Sequence, residues 1–230
     1  MVVPGGSLGI IVPVLFVLTL RKGIQNGPFD DSQKSSHQKV LFSIVTLWAL
    51  IVWGASLGGA IGYQVGDTIP RFLIPLFAPA LIGVALLANK TVKAVVDHTP
   101  LSALAGMQAF RFAGASLFLV VYAGALPQAF VSGGYGDIVT GALALTASIL
   151  LSKRASGSKL AFWGFTLAGV ADLLNVLFLL LAYYPIWNHA ALTSAPAADF
   201  SLVMLPAIAA PMALIMHFCG VRNFFAVKDM

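Results

Sequence analysis

Residues 104–148, LAGMQAFRFAGASLFLVVYAGALPQAFVSGGYGDIVTGALALTAS, decide the fold. They form two apolar segments of helical length, joined by a short turn that contains Pro127. Arg111 interrupts the first segment, and Asp137 lies at the start of the second. A spanning helix needs about 20 predominantly apolar residues, and a charge inside such a helix is costly unless it is paired. The stretch therefore predicts two membrane-spanning helices that bury charged side chains.

The composition of the whole chain favours the same environment. Of the 230 residues, 59% are hydrophobic and 9% are charged, whereas soluble domains carry about 25% charged residues. That much apolar surface cannot be buried in one water-soluble core, so we expect the lipid bilayer to be the solvent. The net charge of +5 comes from residues that flank apolar segments. This placement is typical of topology signals, and we expect no nucleic-acid partner.

The spacing of the apolar segments predicts an all-α fold, a seven-transmembrane-helix bundle that forms a single domain over residues 1–230. Segment length favours helices over a β-barrel, because barrel strands need only about 9–11 residues. The predicted spans are 5–20, 40–63, 70–88, 101–126, 136–152, 160–184 and 200–219.

Positive residues predict the orientation of the bundle. Eleven of the 13 lysines and arginines fall in segments 21–39, 89–100 and 153–159 and in the carboxyl-terminal tail. The opposite side has Arg71 alone. Short cytoplasmic loops carry an excess of positive residues. We therefore predict an outer amino terminus and a cytoplasmic carboxyl terminus in a bacterial inner membrane.

Five polar residues within the spans form the predicted ligand site: Gln108, Arg111, Asp137, Asp172 and Asn175. Arg111 and Asp172 lie ten and twelve residues into their spans, so their depths differ by only ~3 Å. We predict a salt bridge between them, because either charge alone would be costly in hydrocarbon. Gln108 and Asn175, one helical turn to either side, would extend the network. The alternative for Asp137 is to cap a helix that begins at residue 136.

Small residues predict which helix faces pack against protein. In the sixth predicted span, Gly164, Ala168 and Ala171 would face protein, whereas Leu167, Leu174 and Leu181 would face lipid.

In the second predicted span, the face formed by Gly54, Gly58 and Gly62 has small-xxx-small spacing. This spacing favours self-association or contact with a partner in a membrane complex.

Four motifs lie within residues 98–225: Gln108-x-x-Arg111, Gly134-x-Gly136-Asp137, Gly169-x-x-Asp172-Leu173 and Pro211-x-x-Leu214-x-x-His217. Together they resemble a widespread family of small, uncharacterised bacterial integral membrane proteins. The resemblance supports the polar positions and implies no particular reaction.

The string Gly134-Tyr135-Gly136-Asp137 also matches the Gly-x-Gly-Asp motif of intramembrane aspartyl proteases. Such enzymes share one proton between two aspartates. In those proteases the partner aspartate comes from an earlier helix, and the preceding span here contains Arg111 and no acid. The motif is therefore a weak indication of protease activity.

His98 and His217 are weak candidates for a metal or haem site, and the sequence identifies no cofactor. Neither belongs to a His-x-x-x-His or similar ligand spacing, and the alternative for His217 is an interfacial anchor. The single cysteine, Cys219, excludes an intramolecular disulfide.

The favoured function is small-molecule or ion binding, in a transporter or sensor, at the buried arginine–aspartate centre. The alternative is a structural or accessory subunit of a larger membrane complex, whose buried charges only fix helix packing. A cavity that reaches Arg111 would favour the binding protein, and a sealed Arg111 would favour the scaffold.

Overall fold

The computed structural model describes residues 5–188 and 191–226. Over these residues the chain is helical and contains no strand, which confirms the all-α prediction. Six helices are long and apolar enough to cross a membrane. They are Gly6–Asn26, Asp31–Leu57, Leu101–Tyr122, Gln128–Ser152, Ser158–Ala182 and Leu205–Ala226.

The α-helices of the described chain are α1 Gly5–Asn26, α2 Asp31–Leu57, α3 Leu73–Leu86, α4 Lys90–Asp97, α5 Leu101–Met107, α6 Ser116–Tyr122, α7 Val131–Ser152, α8 Ser158–Ala182 and α9 Ala210–Ala226. A 3₁₀ segment, Gln108–Ala115, joins α5 to α6, and a π-helical segment, Leu205–Ala209, leads into α9. Shorter 3₁₀ turns occupy Gln128–Phe130 and Ala195–Ala198.

The basic segment between the first two helices is much shorter than the predicted loop 21–39. Asp30 caps α2, because its carboxylate accepts from the backbone N–H of Gln33 at 2.8 Å. The Gln33 side chain in turn accepts from the Asp30 N–H, which completes a capping box. The two helices therefore extend past the apolar region and carry the basic residues on their ends.

The third predicted span, 70–88, contains the short helix α3. Its 14 residues extend about 21 Å, less than the ~30 Å of a hydrocarbon core. Asn89 caps α4, with its side-chain oxygen 2.9 Å from the Thr91 N–H. The α3 and α4 axes meet at 91°. The described chain has six candidate spans, or seven if this bent pair crosses the membrane as one span.

One end of the bundle joins α1, α4 and α9. The Asn223 side chain of α9 donates to the carbonyl oxygens of Val96 at 2.7 Å and Thr99 at 2.9 Å. Asn26, at the end of α1, donates to the carbonyl oxygen of His98 at 3.4 Å. Phe162, near the start of α8, stacks on Phe224 with ring centroids 5.0 Å apart.

The other end of the bundle has an aromatic cluster around Tyr184, which follows the last turn of α8. The Tyr184 ring lies 5.6 Å from that of Tyr63 and 6.0 Å from that of Phe72. Since α8 has 25 residues, its two ends are about 37 Å apart. The chain from Phe72 to α4 therefore leads from one end of the bundle to the other.

The prediction that Gly54, Gly58 and Gly62 share one helix face is wrong, because α2 ends at Leu57. Gly58 is the C-cap, and its N–H bonds to the Gly54 carbonyl at 2.9 Å. Gly59 follows with a positive φ of 71°, which turns the chain away from the helix axis. Gly62 therefore does not continue the α2 surface.

Leu167 and Leu174 of α8 are 66% and 61% exposed on the outside of the bundle, which is consistent with the prediction that they face lipid. Leu181 is half-buried, and Ala171 is exposed rather than packed against protein. The predictions for Gly164 and Ala171 were wrong, because a Cβ on Gly164 would have no atom within 4 Å and the buried face of the helix runs through Gly169 and Asp172 instead.

Candidate ligand-binding site

Arg111 lies in the 3₁₀ segment between α5 and α6 and is 3% exposed. Its Nε donates to Asp137 Oδ1 of α7 at 2.8 Å, and its Nη2 donates to Asp172 Oδ2 of α8. Nη1 reaches the Gly169 carbonyl at 3.4 Å. One guanidinium therefore holds two carboxylates from two helices, and we call these three residues the charge centre.

The predicted ion pair between Arg111 and Asp172 is confirmed, and Asp137 joins it. The capping interpretation of Asp137 was wrong, because α7 begins at Val131 and not near residue 136. Asp137 consequently lies in the second turn of α7, where its carboxylate bonds to Arg111 instead of free helix N–H groups.

Glycines allow the helices to approach closely enough for these bonds. A Cβ atom on Gly136 would overlap the Asp172 carboxylate, and one on Gly114 would overlap the Asp137 side chain. On Gly134, a Cβ would lie 2.5 Å from the Phe118 ring. Both glycines of the Gly-x-Gly-Asp string thus have a packing role. Moreover, Arg111 forms an ion pair with each aspartate, whereas the two aspartates of such a protease share one proton between them.

Gln108 and Asn175 are bonded elsewhere. The Gln108 side chain is fully buried and donates to the Ala213 carbonyl of α9 at 2.8 Å. Asn175 is half-buried and donates to Ser132 Oγ at 3.1 Å. In the described chain neither bonds to Arg111 or Asp172, so the structure does not bring them into the charge centre.

Several buried polar atoms near the charge centre have no hydrogen-bond partner among the described residues. They are Oδ1 of Asp172, Oγ1 of Thr140, Oγ1 of Thr166 and both ring nitrogens of His217. Buried polar groups are usually satisfied by protein or by ordered water. The two threonines were not among the predicted site residues, because an isolated threonine in an apolar helix has no distinctive spacing.

His217 is 3% exposed, so the interpretation as an interfacial anchor was wrong. Its ring lies 4.9 Å from the Phe165 ring, and a Cβ on Gly169 would be 2.5 Å from its Nε2. His98, by contrast, is exposed at the end of α4, with Nδ1 2.8 Å from the Ala94 carbonyl oxygen. Within residues 5–188 and 191–226, no group of three or more His, Cys, Asp or Glu residues could hold a metal ion.

A cavity of about 170 Å³ reaches the charge centre. Its charged lining residues are Arg111 and Asp137, and its other walls are almost entirely apolar. Phe77 of α3 and Leu174 of α8 also line it, and they are 40% and 61% exposed on the outside of the bundle. The cavity therefore lies between α3 and α8, beside the exposed apolar surface of the bundle.

A family model described as a domain of unknown function, DUF8737, matches residues 71–225. The chain belongs to the DUF8737 family. The match spans α3 to α9 and includes the whole charge centre together with His217, whereas α1 and α2 lie outside it. The resemblance to an uncharacterised family is thus confirmed, and it extends further toward the amino terminus than residue 98. No curated protein matches this DUF8737 protein, and no solved structure does.

Proposed function

We propose that the protein binds a small organic cation at the charge centre, as part of transport or sensing across a membrane. The observation that carries this proposal is the apolar cavity that reaches Arg111 and Asp137. A scaffold whose charges only fix packing would leave them sealed.

The charge balance of the site favours a cation. One guanidinium and two carboxylates sum to −1 when all three groups are ionised, and uncompensated charge is costly in a low-dielectric interior. Arg111 is already paired with two carboxylates, which outweigh its single positive charge, so the site has no net attraction for an anionic ligand. A ligand with one positive charge beside Asp137, whose side chain is 17% exposed, would instead bring the net charge of the site to zero.

The cavity size favours a ligand with few heavy atoms. An engineered cavity of about 150 Å³ binds benzene, and this cavity is about 170 Å³. A small protonated amine with an apolar body matches both the walls and the charged end. A protonated amine is also a good hydrogen-bond donor to a carboxylate.

Irregular helices at the site favour transport or sensing over static binding. Arg111 lies in a 3₁₀ segment, and Leu205, Pro206 and Ala209 of the π-helical segment line the same cavity. Mid-helix 3₁₀ and π segments often mark hinges or functional sites. In secondary transporters, interrupted helices likewise form the binding site near the middle of the membrane.

We further propose seven crossings in a bacterial inner membrane, with the amino terminus outside. The contacts of Phe72 and Val96 at opposite ends of the bundle support a crossing by the short helix α3. Helices α1, α4 and α9 are joined at one end of the bundle and carry basic residues, and this supports a cytoplasmic location for that end.

Three aromatic probes of similar size test the proposed function. Benzylammonium, benzyl alcohol and benzoate differ mainly in charge, and isothermal titration of the detergent-solubilised protein measures the affinity of each. We expect benzylammonium to bind at least about 10-fold more tightly than benzyl alcohol, as for a charge-assisted hydrogen bond. Tighter binding of benzoate would contradict the proposal. Absence of binding by all three would favour the accessory-subunit alternative.

A further inference from the structure

A second, larger cavity lies between α2 and α3. It has a volume of about 360 Å³. Helix α2 packs on α1 and α3 packs on α9, which leaves a groove between α2 and α3 with α1, α4 and α9 at its base. Val40 and Ile44 of α2 and Pro79 and Ile82 of α3 are among its apolar walls. The groove is separate from the charge centre, because neither Arg111 nor an aspartate lines it.

The groove has a polar and basic mouth at one end. His37 and Thr91 line it there. Lys34 lies one helical turn before His37 in α2. In α4, Lys90 directly precedes Thr91 and Lys93 follows it by two residues. In the part of the chain that the structure describes, these three lysines form no ion pair. The mouth therefore combines unpaired positive charge with a long apolar groove.

We propose that this groove binds one acyl chain of an anionic phospholipid, with the phosphate-bearing headgroup at Lys34 and Lys90. The walls lack the converging polar groups that orient a polar small molecule, whereas hydrocarbon needs none. The volume is more than twice that of a cavity that holds benzene, about 150 Å³. Basic clusters at the cytoplasmic ends of transmembrane helices bind acidic lipid headgroups. His37 Nδ1, buried without a hydrogen-bond partner among the described residues, adds a polar group at the mouth.

This lipid site is independent of the proposed cation-binding function, so either proposal can be contradicted while the other holds. The lipid holds α2 to the rest of the bundle, which explains how an α2 with most of its surface exposed stays in place. Only 17% of the apolar stretch of α2 is buried inside the bundle.

The test uses the full chain reconstituted in nanodiscs with equal amounts of phosphatidylglycerol and phosphatidylcholine. Native mass spectrometry after release into detergent counts the lipids that remain bound. We expect one retained phosphatidylglycerol per protein. The double variant Lys34→Ala/Lys90→Ala should lose about 25-fold in preference for phosphatidylglycerol, about fivefold for each lysine. The control Lys153→Ala/Lys159→Ala removes two exposed lysines, one just after α7 and one in the first turn of α8, and should retain the lipid.

A second pair of variants tests the groove itself. Val40 lines the groove and is 53% exposed, so Val40→Trp should fold and should block the acyl chain. Phe42 is 61% exposed and does not line the groove, so Phe42→Trp is the matched control. Equal retention of the two lipids by the unaltered protein would overturn the proposal. Equal loss in the lysine variant and its control, or in the two tryptophan variants, would also overturn it.

Discussion

Gly136 of α7 and Asp172 of α8 are in direct contact, at a point where any side chain on residue 136 would overlap the carboxylate. The next residue after Gly136 is Asp137, which bonds to the same guanidinium as Asp172. The close approach of the two helices therefore places two carboxylates on Arg111. The charge centre depends on a missing side chain as much as on its charges.

We expect Gly136→Ala to disrupt the charge centre. The added methyl group must push α7 from α8 or turn Asp172 from Arg111, and overpacking typically costs about 1–3 kcal/mol. Gly164→Ala on α8 is the matched control, because no atom lies within 4 Å of a Cβ there. The control should leave the free energy of unfolding unchanged or raise it by up to ~1 kcal/mol, because alanine has a higher helix propensity than glycine. Thermal unfolding in detergent measures both, and equal melting temperatures would contradict the packing role of Gly136.

The three charged residues should differ in their effect on stability. Arg111→Gln leaves two carboxylates buried without a cation, and removing one partner of a buried pair typically costs about 3–5 kcal/mol. Asp172→Asn leaves Arg111 paired with Asp137, so it should cost less. The triple variant Arg111→Gln/Asp137→Asn/Asp172→Asn should be more stable than Arg111→Gln alone, because no charge remains.

Chemical denaturation of the purified variants in detergent measures this order. A result in which Asp172→Asn destabilises as much as Arg111→Gln would show that Asp137 does not share the guanidinium. Asp31→Asn, an exposed position at the start of α2, controls for the loss of one acid.

The crossing by α3 can be tested by cysteine labelling in intact cells. Cys219 is buried, and Cys219→Ala gives a background without thiols. We expect an impermeant maleimide to label Val65→Cys, which is 95% exposed, and not Lys93→Cys or Ser156→Cys. Labelling of both Val65→Cys and Lys93→Cys would mean that α3 does not cross. Labelling of Ser156→Cys would reverse the proposed orientation.

The pairing of Arg111 with Asp172 could be predicted from sequence, because apolar segment length fixes approximate depth and a buried charge needs a partner. The role of Asp137 could not be predicted in the same way. Gly133 and Gly134 give residues 131–135 the composition of a turn, so the predicted helix began at residue 136. Tertiary packing overrides that preference, since the two glycines make room for Val176 and Phe118.

The sequence could not predict the direction of individual side chains or the irregular helix turns. Asn175 is close to Asp172 along α8, yet its amide is directed to Ser132. The 3₁₀ segment around Arg111 contains no proline that would explain the irregularity. Such features depend on contacts between helices that are distant in sequence, as in the Gln108 bond to the Ala213 carbonyl at 2.8 Å.

The most direct test of the central claim is the dissociation constant of benzylammonium for Asp137→Asn, compared with the unaltered protein and with Asp31→Asn. Asp137 is the acid that lines the cavity. Its replacement should therefore weaken binding by about 10- to 100-fold, as expected for the loss of a hydrogen bond to a charged group. Asp31→Asn should bind like the unaltered protein. Equal affinity in all three proteins would show that the cation does not bind at the charge centre.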